Sequence, residues 1–363
     1  MHISSARSFG GGERHLVDLC RGLAERGHDV FVALRPTNEW QHRLDFLPPE
    51  NILQVSIRTS FGVLSAMRIA EFARDKKVSI LHAHVARDYI PASIACLGTT
   101  GPKFVLTRHV MFPLKPFNRF ALKNVSAAIA VSDAVADNLK KVFPTTKIVV
   151  VPNGVITDRQ SPEQRTSAKN EFQEFHSIPK DAFVIGTLGE LKEMKGQRDL
   201  ILAAAEVAKS IPEAYFVIAG KDNSLDRSFR RELRRLVKVF ELETRFLWLD
   251  WIEDPSAFFS AIDVFVSPSH SESFGLAILE AMTHATPIVA TQTDGARALL
   301  GRTYGLVPIQ DPVLMAQGIK AVHDDPELAA AMALELEKKA VDRFSLGRML
   351  DDVEKLYRRL NGE

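Results

Sequence analysis

The stretch Ala261–Thr291, AIDVFVSPSHSESFGLAILEAMTHATPIVAT, decides the fold. It parses into an apolar run of strand length from Ile262 to Val266, a Ser/Pro/His loop, a helix starting near Ser273 to Gly275, and a second apolar run from Pro287 to Thr291. Leu276, Leu279 and Met282 recur at helical spacing between the two runs, so the stretch describes a βαβ unit of a parallel sheet. In such sheets ligands collect beyond the carboxyl ends of the strands. Two carboxylates fall there. Glu272 lies in the loop at the helix mouth, and Glu280 lies inside the helix, about five residues and so roughly 7.5 Å along its axis from Gly275.

Between the two carboxylates, the N–H groups of Phe274, Gly275 and Leu276, just past Ser273, form a helix N-terminus without intrahelical partners, a setting that favours a phosphate or diphosphate. Gly275 lets a backbone or ligand come close. Carboxylates accept from pairs of hydroxyls, so a ligand with hydroxyls on either side of a diphosphate matches the layout. A nucleotide-diphosphate sugar is one. Taken alone, a Glu near a helix start is more often a solvated residue or a partner of the helix dipole. The flanking residues narrow the choice: SESFGLAILEAM, after VSPS and before PIVAT, resembles the E-x7-E signature of the family 4 (group 1) retaining glycosyltransferases.

The resemblance implies an α/β chain of the GT-B fold, with two Rossmann-like doubly wound domains facing each other across a cleft. Residues 1–155 are expected to form an N-terminal acceptor-binding domain, residues 156–344 a C-terminal nucleotide-sugar-binding domain, and residues 345–363 a helix that packs back on the first domain. The sequence order agrees. The opening SARSFGGGERHLVDLCRGLAERGHDVFVAL is a Gly-rich turn feeding a helix whose Leu16, Leu19, Cys20 and Leu23 share a face, and AFVIGTLGELKEMKGQRDLILAAAEVA echoes it in the second half. Only about three residues precede the first loop, so the first strand is expected to be short. Residues 156–178 are polar and read as a linker and a leading helix.

By resemblance, Gly10 and Gly11 approach the donor diphosphate, His109 contacts the donor sugar from the first domain, and Lys195 meets the diphosphate as a point charge. The second Gly-rich loop keeps Gly189, Leu191, Lys195 and Gly196 of the family pattern but has Glu190 in place of the usual arginine. Ala298 stands where a Glu is common, and Ala285 where a helix-ending Gly is usual. His84, like His109, sits just past a strand, where a structural and a functional reading are equally open. The resemblance implies a metal-independent reaction without a cofactor, in which Glu272 positions the sugar and Glu280 the ribose. It proceeds with retention at the anomeric carbon, by a front-face route in which the leaving phosphate helps deprotonate the acceptor. The sugar passes to a saccharide or lipid-linked acceptor of the cell-envelope glycan type, lipopolysaccharide included. Two alternatives stay open: a nucleotide-sugar epimerase of the same fold, and a non-catalytic nucleotide-sugar-binding protein.

Composition bounds the rest. The 363 residues carry a net charge of +1, unevenly spread: residues 1–155 hold 20 Lys+Arg against 12 Asp+Glu, and the remainder 26 against 33. A basic first half favours an anionic acceptor or membrane surface. Nucleic acid is not expected as a partner, because no aromatic-interleaved basic stripe or nucleic-acid motif occurs. The segment Met111–Asn124, MFPLKPFNRFALKN, reads either as a helix covering the sheet or as an interfacial patch resting on an anionic membrane. Cys20 and Cys96 lack the spacing of a metal or redox pair. No apolar run reaches the roughly 18 residues of a spanning helix, and the expected location is the cytoplasm, at the inner face of the membrane. Neither Gly-rich loop has the G-x-G-x-x-G spacing of a dinucleotide oxidoreductase, and no D-x-D stands at a strand end to hold a metal.

Overall fold

In a computed structural model, residues 1–57, 62–97, 101–157, 161–301 and 305–363 are described. The chain divides into two compact units, Met1–Gly154 with Leu346–Glu363, and Val155–Ser345. Residues 158–160 of the expected linker lie outside the described residues. The helix after it, Pro162–Phe175, starts with a capping box in which Ser161 and Gln164 satisfy each other's backbone N–H groups.

The first unit is a seven-stranded sheet, ordered β3-β2-β1-β4-β5-β6-β7 and parallel throughout. Its strands are β1 (His2–Ser4), β2 (Val32–Leu34), β3 (Ile52–Gln54), β4 (Ile80–Ala83), β5 (Lys103–Arg108), β6 (Val125–Ala130) and β7 (Ile148–Val150). The central strand β1 is three residues long, as expected from the sequence, and pairs on both edges. The near-continuous burial of β4, β5 and β6 fits strands covered on both faces.

The last helix, Leu346–Asn361, belongs to this unit and packs on the first helix, Gly11–Glu25. The approach is close enough that a Cβ on Gly22 would lie 2.4 Å from Leu350 Cδ1. Arg26 Nη1 donates to Asp351 at 2.8 Å and to Glu354 at 2.5 Å, and the Tyr357 hydroxyl meets His82 Nδ1 at 2.5 Å. Met349, Leu350, Val353 and Leu356 join Leu16, Leu19 and Leu23 in one core cluster.

The second unit is a six-stranded parallel sheet, ordered β10-β9-β8-β11-β12-β13. Its strands are β8 (Phe183–Leu188), β9 (Ala214–Ala219), β10 (Phe246–Leu249), β11 (Val264–Ser267), β12 (Ile288–Thr291) and β13 (Leu306–Val307). The stretch that opened the sequence reading is β11, the helix Leu276–Thr283 and β12. Ala285 does take the left-handed conformation (φ 45°) in which glycine would be free of Cβ strain. The two chain passages between units run side by side, since Val155 N donates to Phe344 O at 3.0 Å.

Strand order reverses between β1 and β4 in the first sheet and between β8 and β11 in the second. Those are the switch points where doubly wound sheets open a crevice at their carboxyl edge.

Candidate functional site

At the switch point of the second sheet, the loop after β8 and the loop after β11 interlock. Gly196 is left-handed (φ 66°), and a Cβ there would lie 2.0 Å from the Pro268 carbonyl oxygen, so only glycine fits. His270 N donates to Met194 O at 2.9 Å, and its Nε2 lies 2.7 Å from Asp199 Oδ2, which ties the second loop to the helix Gln197–Ser210. From the other side Gly295 N donates to Glu272 O at 2.9 Å, with Gly295 so close to Phe274 that a Cβ would sit 2.6–2.8 Å from Phe274 backbone atoms. The interlock fixes Glu272. Its Oε1 accepts from Lys195 Nζ and, at 3.0 Å, from Ser269 Oγ.

The Lys195–Glu272 pair lines a small pocket with Thr187, Gly189, Gln197, Gly275 and Ile278. Two helix N-termini open on it: the helix Gln197–Ser210 capped by Gly196, and the helix Leu276–Thr283 capped by Gly275 at φ 93°. Their N–H groups and the Lys195 ammonium, paired with Glu272, put donors of the kind an anion would need at this corner of the unit. The helix begins at Leu276, one residue past the expected start, because the left-handed Gly275 is its cap. The free N–H groups are therefore those of Leu276, Ala277 and Ile278 instead of Phe274, Gly275 and Leu276. Ser273 and Leu276 are half-buried, whereas the Phe274 ring is buried and meets Phe344 edge-on at 5.9 Å. Phe274 can serve a ligand only through its backbone. Glu280 is buried on the same helix.

Glu190, the anion in place of a family arginine, turns out to be neutralised. Its carboxylate accepts from Lys192 Nζ at 2.5 Å and from Asn223 Nδ2 at 3.0 Å. Burial pushes its pKa up, but these two hydrogen bonds and the charges of Lys192 and Lys195 outweigh burial and hold it below the usual range.

In the first unit, Gly10 is extended (φ −151°) and caps the helix Gly11–Glu25, a conformation open to any residue. His109 follows β5, with its ring 3.8 Å from where a Gly12 Cβ would be. Around it the structure gathers His2, His15, His82 and His84, a cluster the sequence reading did not foresee apart from His84. Burial lowers the pKa of each of the five, His15 to about 4 and the others well below the imidazole range. All are neutral imidazoles near pH 7. The signal for it, a histidine at each of several strand ends, was visible only for His84 and His109. Met111–Asn124 is not a helix covering the sheet: only Asn118–Ala121 is helical, and Phe112 and Phe120 are 71% and 77% exposed.

Known proteins resemble the chain along most of its length. Residues 168–339 match the profile of Glycosyl transferases group 1, and residues 9–159 that of Glycosyltransferase Family 4. The lipopolysaccharide core biosynthesis glycosyltransferase LpsE of Rhizobium meliloti is 26% identical over 94% of each chain. The D-inositol 3-phosphate glycosyltransferase of Pseudarthrobacter chlorophenolicus is 28% identical over 90% of this chain and 86% of its own. Among solved structures, HepE of Anabaena in complex with UDP and glucose superposes with a TM-score of 0.85 at 20% identity, over 98% of both chains. Two parallel Rossmann-like sheets, matching group 1 and family 4 profiles along most of the chain, and relatives aligned end to end lead to one conclusion: the protein is a glycosyltransferase of family 4 (group 1), with the GT-B fold.

Proposed function

We propose that the chain transfers a sugar, with retention and without a metal in the reaction, from a nucleotide-diphosphate sugar to a saccharide or lipid-linked acceptor of an envelope glycan. The observation that carries this reading is the Lys195–Glu272 pair at the mouths of two helices. A diphosphate leaving group there meets helix N–H groups and one ammonium, which stabilise its developing charge as fixed donors do. Glu272, held by Ser269 and Lys195, is oriented to accept from sugar hydroxyls, and Glu280 is assigned to the ribose. His109, Gly10 and Gly11 are assigned to the donor on their positions in the family pattern.

A uridine diphosphate sugar is the donor to try first, since HepE is described with UDP. LpsE and an O-antigen glycosyltransferase of Escherichia coli, WclY, among the relatives support an envelope acceptor. Exposed Phe112, Phe117 and Phe120 beside Lys115, Arg119 and Lys123 support peripheral contact with anionic lipid. No helix among the described residues is long and apolar enough to cross a membrane.

The test is a panel of nucleotide sugars, each with and without saccharide and lipid-linked acceptors. Transfer of the sugar with unchanged anomeric configuration supports the proposal. Donor conversion without any acceptor would favour an epimerase, and binding without turnover a non-catalytic protein.

A further inference from the structure

Arg108 ends β5 with its side chain buried, only 5% exposed. Its Nη2 donates to the Phe112 carbonyl, and it lies beside the Tyr89 hydroxyl. Both partners are uncharged, and among the described residues no carboxylate pairs with this guanidinium. Buried charges are normally paired, because removing an ion from water is costly. A guanidinium also carries five N–H donors, more than one carbonyl and one hydroxyl can take.

The neighbouring strand ends carry the same residue type. The register Ser4 to Leu34, Ile3 to Ala83 and Ala83 to Leu106, continued along the strands, brings Arg35, Ser5, Val85 and Arg108 to one level on β2, β1, β4 and β5. At the usual spacing of strands that row is about 14 Å long, and it is centred on the switch point between β1 and β4. Arg7 and Arg87 follow two residues beyond Ser5 and Val85. Arg7 is paired with Glu39, and Arg87 acts on the buried Asp88 carboxyl. At the opposite edge the cations are lysines: Lys77, Lys103, Lys123 and Lys147 stand at or just before the starts of β4, β5, β6 and β7. No lysine stands within four residues past the end of any described strand of this sheet. For net charge the two residue types are equivalent. For recognition they are not, since the planar guanidinium matches phosphate oxygens in pairs and gives up its hydration more readily than an ammonium.

We propose that Arg108, with Arg87 and Arg35, forms a subsite for a phosphate group carried by the acceptor, which makes the acceptor a phosphorylated saccharide. This names the acceptor class within the transfer reading above and rests on it. The phosphate supplies the counter-charge that Arg108 lacks, at the carboxyl edge where parallel sheets bind ligands.

The test is calorimetry of the full chain with glucose 6-phosphate, glucose and inorganic phosphate as probes, with UDP in excess to fill the corner at Lys195. Glucose 6-phosphate should bind at one site per chain, inorganic phosphate should compete with it, and glucose should show no binding. Arg108→Gln should weaken the sugar phosphate about 10-fold or more, the usual loss for a hydrogen bond to a charged group, and Arg87→Gln by a smaller factor. Lys103→Gln, at the opposite edge, should leave it unchanged. Circular dichroism checks that each variant is folded. If Arg108→Gln does not fold, the double variant of Arg35→Gln and Arg87→Gln, at less buried side chains, carries the test and should weaken binding about 10-fold. Equal affinity for glucose and glucose 6-phosphate, no binding of either phosphate probe, or undiminished affinity in folded Arg108→Gln would overturn the subsite. Arg108-dependent binding of the sugar phosphate in a chain that transfers sugar from no donor would support the subsite and count against the transfer reading instead.

Discussion

Glu272 and Lys195, 77 residues apart in sequence, share an ion pair at the crevice between β8 and β11. Neither side chain is more than about a quarter exposed, with values of 16% and 26%. Each therefore holds the other in one orientation.

Replacing Glu272 by Gln keeps an oxygen for Ser269 and Lys195 but removes the anion. The fold should persist, while transfer falls at least about 10²-fold through loss of positioning. Steady-state kinetics should show the loss mainly in kcat. Near-normal turnover would count against Glu272 as the positioning group.

Glu280→Ala should weaken nucleoside diphosphate binding with little change in the anomeric outcome. Calorimetry measures it, and unchanged affinity would remove Glu280 from the ribose.

Gly196 and Gly27 are both left-handed, at φ 66° and 85°, but only Gly196 has a neighbour in the way. Gly27→Ala should cost about 1 kcal/mol from the backbone alone. Gly196→Ala must also displace the Pro268 carbonyl, so it should cost more and should abolish nucleotide binding. Urea midpoints and nucleotide titrations of the two variants make the comparison.

Gly22→Ala gains helix propensity of about 1 kcal/mol, yet its Cβ strikes Leu350. Overpacking of this kind costs about 1–3 kcal/mol, so net destabilisation is expected, with partial rescue by Leu350→Ala. Additive losses in the double variant would show that the two sites do not touch.

The first unit should be acid-labile. Unfolded histidines titrate near 6.5, whereas burial lowers the folded values, that of His15 to about 4. The unfolded chain then binds more protons in that window, and stability falls as pH drops from about 6.5 toward 4. Asp88 works the other way. Burial raises it from 3.8 to about 6, against the hydrogen bond from Ser5 N, so its contribution to stability is lost as pH rises through that range. Asp88→Asn should therefore stabilise above pH 6, by about 3 kcal/mol at most, and by progressively less as pH falls toward 4. Hydrogen exchange at amides of β4 and β5, against those of β8 and β11, reads the two units separately.

Much of this was legible in the residues. The apolar runs around SESFGLAILEAM could only be parallel strands about a helix, and the polar residues at their ends, Glu272 and Lys195, stood where such sheets bind ligands. What escaped the reading depends on proximity between distant segments. His2 and His15 sit in stretches whose pattern is that of a strand and a helix, and nothing local shows that they meet His84. Nothing local to Gly295 shows its closeness to Phe274. Glu190 reads as a misplaced anion because its partner Asn223 is 33 residues away. Phe112 and Phe120 of Met111–Asn124 have helical spacing, yet both stay mostly exposed.

The last helix, lodged against Gly22, sets an order of events during synthesis. Domains tend to fold as they leave the ribosome, N-terminal first. Here the first 154 residues lack the partner of Leu16, Leu19 and Leu23 until the chain beyond Ser345 has been made. The second unit can be completed while the first still waits with an apolar groove open, so the nascent chain is most vulnerable to chaperone capture and aggregation at its amino-terminal half, late in translation.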